Sequence, residues 1–152
     1  MESINDNFSK GFFGISQASR DHLIEISKWA KFLAIIGFIG IGLIVLAGIF
    51  MGSIGNLIES RTMMDGGSSF PGGLLTFIYL IMAGIYFFPV YYLFRFSVKM
   101  PQALGAADNV GFDEATGYLK SHYKYMGIMM IIVLSLYALV IVGVIIMALA
   151  SR

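Results

Sequence analysis

Three long apolar runs constrain the fold of this chain more than any other feature. Residues 32–51 contain no charged or polar side chain, residues 74–94 contain none beyond Thr76 and tyrosines, and residues 125–150 contain only Ser135 and tyrosines. A hydrocarbon core of roughly 30 Å is crossed by about 20 helical residues. Only helices or closed barrels satisfy the backbone in lipid, and these runs lack the alternation of barrel strands. We therefore predict an all-α integral membrane protein with three transmembrane helices.

Composition places the whole chain in one membrane domain. Charged residues make up 12% of the 152 residues and hydrophobic residues 58%, whereas a soluble domain is usually about 25% charged. There is no cysteine, which excludes disulfides and thiolate metal ligands.

The distribution of basic residues predicts how the chain is oriented in the membrane. Eight of the ten Lys and Arg residues precede the first apolar run or lie between the second and third, and only Arg61 and Arg152 lie elsewhere. Because cytoplasmic connections carry the excess of basic residues, we expect a cytoplasmic N-terminus and a C-terminus on the outer side. The eight are Lys10, Arg20, Lys28, Lys31, Arg95, Lys99, Lys120 and Lys124.

Two polar segments have helical periodicity and lie on the cytoplasmic side of this topology. Residues 16–30 and a stretch within the connection 101–124 place apolar residues at spacings of three to five, which predicts short amphipathic helices before the first and third spans. The first of these helices either continues into its span or bends near Lys28 to lie on the membrane surface. Residues 1–14 are polar and interrupted by glycine, so we expect a flexible N-terminus with no cleaved signal peptide.

Prolines and glycines predict where the spans end and how closely they pack. Pro101 follows the second span, 74–96, and is expected to end its helix, while the outer connection 53–72 is rich in glycine and turn residues. Gly48 and Gly52 form a pair four residues apart, which permits close helix approach in lipid, although glycine is also simply commoner in membrane helices.

Pro89 lies inside the second run and leaves the carbonyl of Ile85 without its helical donor. When residues are counted from the basic residues at the inner boundary, Ser135 of the third helix lies at nearly the same depth as Ile85. We therefore expect the hydroxyl of Ser135, or that of Tyr137, to donate to the Ile85 carbonyl. The alternative is a local 3₁₀ or π adjustment of the second helix.

Aromatic residues surround Pro89, and Arg95 follows them at the inner boundary. A guanidinium near tyrosine rings can form cation–π contacts and reach phosphate groups. Tyr91, Tyr92, Arg95 and Lys99 are accordingly a candidate lipid-headgroup site. An ordinary aromatic belt with its basic flank is the alternative interpretation.

The sequence predicts no catalytic, cofactor or metal site. No Asp, Glu, Lys, Arg or His lies in the central part of a span, which argues against ion-coupled transport. His22 and His122 lack a metal-binding spacing, and the charged segments are balanced rather than strongly basic, which argues against nucleic acid as a partner.

Three segments together resemble a family of small bacterial inner-membrane proteins known only as a domain of unknown function. They are YFFPVYYLFRFS at 86–97, KSHYKYMGI at 120–128 and KWAKFLAIIGFIGIG at 28–42. The resemblance implies a bacterial inner membrane and three transmembrane helices, and it implies no activity.

Two function classes fit these features. The first is a non-catalytic accessory, scaffold or structural subunit that packs against other membrane subunits or copies of itself. The second is a pore or transport protein formed by oligomerisation, and the lack of a polar stripe along any span argues against it.

Overall fold

Three long helices make up the computed structural model, which describes residues 15–64 and 72–150. Helix α1 is Gln17–Met64, α2 is Gly72–Ala106 and α3 is Asn109–Ala150. No strand occurs within the described ranges. All three helices are long and apolar enough to cross a membrane, so the predicted all-α class with three membrane-crossing helices is confirmed.

The two amphipathic segments are not separate short helices, as the sequence interpretation had them. Helix α1 passes without interruption through Lys28, and α3 passes without interruption into its apolar half. The alternative of a bend near Lys28 is therefore wrong. No Gly or Pro separates the amphipathic part of α1 from its span, so nothing in the backbone chemistry stops hydrogen bonding from continuing.

The helix end predicted at Pro101 is also wrong. Residues 53–64, assigned to the outer connection, are helical, and α2 continues through Pro101 to Ala106. A proline has a helical φ, so the helix continues at the loss of one hydrogen bond. The expected flexible N-terminus 1–14 and the turn-rich residues 65–71 lie outside the described residues.

A two-residue turn joins α2 to α3. Ala107 has a left-handed φ of 53°, and the amide of Asp108 donates to the Ala103 carbonyl at 2.9 Å, a bond of the kind that closes helix C-termini. The Asp108 carboxylate then accepts from the amide of Val110 at 3.0 Å and caps the start of α3. This turn sets how residues of α2 and α3 face one another.

Helix α2 lies at the centre and packs against α1 through glycines. A Cβ built on Gly48 would meet Tyr79 Cβ at 2.6 Å, and one built on Gly37 would meet Val90 Cγ2 at 2.7 Å. Thr76 also donates from its hydroxyl to the Gly48 carbonyl at 3.1 Å. The glycine pair at Gly48 and Gly52 thus allows α1 to pack closely against α2 of the same chain.

The compact core lies at the end of the bundle that holds the α2–α3 turn, which we call the turn end. Phe96 and Met100 are fully buried there, between Ala30 of α1 and Ala115 of α3. Arg20 donates to the Leu104 carbonyl at 2.6 Å, which links α1 to the last turn of α2. All three helices meet in this region.

The other half of α3 extends away from this core. Every residue from 131 to 150 is exposed, and none of the most apolar 18-residue window of α3 is buried. The corresponding windows of α1 and α2 are each 11% buried. We call residues 131–150 the exposed half of α3.

Candidate functional site

Side chains that can hold a ligand or a proton collect where the first half of α3 faces α2. We call this strip the α2–α3 seam. Residues of the two helices pair along it in antiparallel register, from the turn end toward the exposed half of α3. The pairs are Lys99 with Glu114, Arg95 with Tyr118, Pro89 with His122, and Ile85 with Tyr125.

The carbonyl that Pro89 leaves without a helical donor is bonded from the neighbouring helix. The hydroxyl of Tyr125 donates to the Ile85 carbonyl at 2.9 Å. The donor does belong to the third helix, as expected, but it is neither Ser135 nor Tyr137. The local alternative is wrong, since α2 remains α-helical throughout Pro89.

The residues predicted to make that bond are the wrong ones. The Ser135 hydroxyl donates instead to the Ile131 carbonyl of its own helix at 2.8 Å, and Tyr137 is 67% exposed. The prediction took Arg95 and Lys124 as level with one another. In the structure Arg95 is level with Tyr118, so α3 is displaced along α2 by about six residues, or roughly 9 Å at 1.5 Å per residue.

A second interhelical bond reaches the backbone at the same proline. Nδ1 of His122 lies 2.8 Å from the Pro89 carbonyl oxygen. Because a carbonyl only accepts, the ring carries a proton on Nδ1 and donates it. Sequence reasoning interpreted His122 as an interfacial or solvated histidine. Its position three residues before Tyr125 was the available signal, because residues three apart lie on one helix face.

Charged groups bond one another at the turn end of the seam. Arg95 Nη2 donates to the Tyr118 hydroxyl at 3.3 Å, and that hydroxyl donates to Glu114 Oε1 at 3.2 Å. Glu114 also forms an ion pair with Lys99. Glu114 precedes the apolar part of α3, and its hydrogen bonds from Lys99 and from Tyr118 hold the pKa of its carboxyl below its ordinary range, against the opposing effect of burial.

The four residues of the candidate lipid-headgroup site are neighbours in the structure. The Arg95 guanidinium lies 5.9 Å from the Tyr91 ring centre, and the Tyr91 and Tyr92 rings are 6.1 Å apart. Lys99 joins them through Tyr118, whose ring centre lies 5.7 Å from its ammonium. Lipid binding by this group stays a prediction.

Tyr118 and Glu114 belong to this cluster, and sequence reasoning did not select them. The Tyr118 ring lies 5.3 Å from the Arg95 guanidinium carbon and bonds Arg95 through its hydroxyl. Glu114 neutralises Lys99, which leaves Arg95 as the cation of the predicted set without a carboxylate partner among the described side chains. The spacing of 114 and 118 by one helical turn was the signal that these residues share a face.

The seam opens into a mainly apolar cavity of about 530 Å³ on one side. Pro89 and Ile85 of α2 line it, together with Met126, Met129 and Val133 of α3. It lies where α3 begins to separate from α2. Tyr86, Tyr123 and Tyr125 also line it, and the Tyr125 hydroxyl is bonded to the Ile85 carbonyl.

Metal ligation has no candidate within residues 15–64 and 72–150, since no three His, Asp or Glu side chains converge there. The comparison with known proteins gives no further guide to the seam: no protein-family model, no curated protein and no solved structure matches the chain. The arguments that follow therefore rest on the residues of this chain.

Proposed function

We propose that this chain is a non-catalytic subunit of a bacterial inner-membrane assembly, in which it acts as an accessory or scaffold protein. The exposed half of α3 carries the proposal. The first half of α3 is held to α2 by side-chain hydrogen bonds at Tyr118, His122 and Tyr125. The residues beyond it, 131–150, are all exposed.

An exposed transmembrane helix half is a surface on which another helix can pack. Lipid chains cover such a surface without a hydrophobic penalty, so association there depends on close packing. Gly143 is exposed, and a Cβ built on it meets no neighbouring atom within 4 Å. Glycines that face α2 from α1, such as Gly48 and Gly52, are already occupied. A partner helix of the same membrane is the occupant that suits the surface at Gly143.

The chemistry of the exposed half supports a packing role more than conduction. Its polar side chains within residues 131–150 are Ser135 and Tyr137, and the Ser135 hydroxyl is bonded to its own helix. A conduction path normally has polar or charged lining groups. The proposed topology places the N-terminus in the cytoplasm and the C-terminus outside, on the basis of the basic residues.

Photo-crosslinking from single positions, combined with native mass measurement in mild detergent, tests the proposal. A photoreactive residue replaces Leu139 on the exposed half of α3, and a matched control replaces Phe50 on α1, since these side chains are 68% and 67% exposed. We expect crosslinks from position 139 to one other membrane protein that co-purifies in a fixed ratio. From position 50 we expect lipid adducts.

A Gly143→Leu variant completes the test, because it adds bulk to the exposed half without touching α2. We expect it to release the partner while the chain remains folded. Gly42→Leu on α1 is the control, because a Cβ there also meets nothing within 4 Å, and we expect it to retain the partner. A closed homo-oligomer with measurable ion flux in liposomes would replace this function with a pore. A monomer with neither partner nor flux would refute both.

A further inference from the structure

A polar notch opens on the α2–α3 seam at the level of Tyr92. Tyr92, Ser121, Lys124, Tyr125 and Ile128 line it, and its volume is about 250 Å³. Lys124 is exposed and contributes the one positive charge among these lining residues. Its hydroxyl-bearing and cationic lining differs from that of the methionine-rich cavity beside Pro89.

Arg95 is the second cation near this notch. The Tyr92 ring contacts the Tyr118 ring at 6.4 Å, and the Arg95 guanidinium carbon lies 5.3 Å from that same Tyr118 ring. The Nε of Arg95 is buried and has no hydrogen-bond partner among the described residues. A buried donor without a partner costs roughly 1–3 kcal/mol, so Arg95 keeps hydrogen-bonding capacity that the described chain does not use.

The charge of the region is positive and incompletely balanced. Among the described side chains the structure contains one ion pair, Lys99 with Glu114. Arg95 bonds a tyrosine hydroxyl instead of a carboxylate, and Lys124 lies within 4 Å of no described carboxylate. Two positive charges therefore remain on this side of the seam.

The two cations lie at different depths along the helices. Arg95 is level with Tyr118, and Lys124 follows Tyr118 by six residues, or about 9 Å along the axis. The Arg95 guanidinium is held by Tyr118, whereas the Lys124 side chain is long and exposed, so the Lys124 ammonium can turn toward Arg95.

We propose that this notch binds the phosphate of an anionic membrane phospholipid between Arg95 and Lys124. The phosphate accepts charge-assisted hydrogen bonds from both cations. Tyr92 and Ser121 line the same opening, and the Ser121 hydroxyl donates to the Gly117 carbonyl of its own helix at 2.9 Å. Ile128 continues the notch toward the apolar half of α3. An acyl chain attached to the phosphate runs along that apolar surface, which a free phosphate ion cannot use.

Lipid titration of the full chain tests this site. The purified, delipidated protein is titrated in mild detergent with a short-chain phosphatidylglycerol, and native mass spectrometry counts the bound lipids. We expect the parent chain to hold one lipid tightly. We expect the Lys124→Gln variant to bind that lipid about tenfold more weakly, because it loses one charge-assisted hydrogen bond. Lys120→Gln is the matched control, since Lys120 lies one turn earlier and does not line the notch. We expect it to change binding by less than about twofold, as for an ordinary surface charge.

Further measurements distinguish a lipid phosphate from free phosphate and control for misfolding of the variants. Phosphatidylcholine at the same concentration is expected to bind about tenfold more weakly, because its headgroup has no net charge. Millimolar inorganic phosphate is expected not to displace the lipid. Arg95→Lys keeps the charge, so it should bind more tightly than Arg95→Gln.

Three outcomes would overturn the proposal. Equal binding of the two headgroups would exclude recognition of an anionic lipid. Equal loss in the Lys124→Gln and Lys120→Gln variants would exclude the notch as the site. Displacement by inorganic phosphate alone would replace the lipid with a free anion.

Discussion

The bond from Tyr125 to the Ile85 carbonyl gives the sharpest test of how α3 is held. Tyr125→Phe removes the donor at 2.9 Å and leaves a carbonyl that Pro89 already deprives of its helical partner. Interhelical hydrogen bonds in membrane proteins contribute about 0.6 kcal/mol on average and up to about 1.7 kcal/mol. Because this acceptor has no alternative donor in its helix, we expect a loss at the upper end, about 1–1.5 kcal/mol.

Pro89→Ala supplies the control for that explanation. An alanine at position 89 restores the amide donor, so the Ile85 carbonyl regains its bond within α2. In that background the loss of the Tyr125 hydroxyl should cost less than about 0.5 kcal/mol, and the two changes should couple by about 1 kcal/mol. Tyr137→Phe makes the same chemical change on an exposed residue and should be within about 0.3 kcal/mol of the parent.

The measurement is unfolding by SDS in mixed micelles, followed by energy transfer between α2 and α3. Since the chain has no cysteine, two introduced cysteines at exposed Ile81 and Leu136 carry the dyes without further changes. The reasoning is refuted if Tyr125→Phe destabilises the parent chain and the Pro89→Ala variant equally. Such additivity would mean that the hydroxyl does not act through the freed carbonyl.

Three further predictions address packing, charge and orientation. Gly48→Ala should destabilise the α1–α2 pair by about 1–3 kcal/mol in the same unfolding assay, because its Cβ meets Tyr79 Cβ at 2.6 Å. Glu114 has a lowered pKa, due mainly to its hydrogen bond from Lys99. Their ion pair should therefore stabilise the fold at pH values above the ordinary glutamate pKa, and this stabilisation should be lost as pH falls through the lowered pKa. Glu114→Gln should remove this part of the pH dependence. A cysteine at exposed Ser60 should react with an impermeant thiol reagent added outside intact cells.

Each of these has an outcome that contradicts it. Gly42→Ala is the packing control, because a Cβ there meets nothing within 4 Å, and equal effects at Gly42 and Gly48 would exclude steric contact as the cause. An unchanged acid midpoint in Glu114→Gln would show that the ion pair does not contribute. Labelling at Ser60 only after the membrane is permeabilised, with a cysteine at Ser19 labelled from outside, would invert the orientation.

The three apolar runs were sufficient to predict three long apolar helices, because a helix that crosses a bilayer needs about 20 apolar residues. The end of α2 was not predictable from Pro101, since tertiary packing overrides single-residue propensity. The fully buried Met100 immediately precedes Pro101, and its contacts with α1 and α3 hold the helix through the proline.

The candidate site, like the fold, was predictable from the sequence only in part. The aromatic and basic residues near Arg95 could be selected by residue type, and so could the need for an external donor at Ile85. The partners could not, because they depend on the register of α3 against α2. That register follows from the two-residue turn at Ala107 and Asp108, and the sequence interpretation had ended α2 before this turn. Basic residues indicate which end of a helix lies on the cytoplasmic side. They do not determine which residues of two neighbouring helices are level with each other.

The unbroken length of α1 has a mechanical consequence. Its 48 residues form a rod of about 72 Å, more than twice the thickness of a hydrocarbon core. A rod without a joint transmits tilt from its membrane part to its ends: a rotation of about 5° at its centre moves each tip by about 3 Å. Bilayer thickness affects the tilt of such helices. Because Arg20 lies near one end of this rod and bonds the last turn of α2, a change in lipid thickness that tilts α1 displaces this end of the bundle.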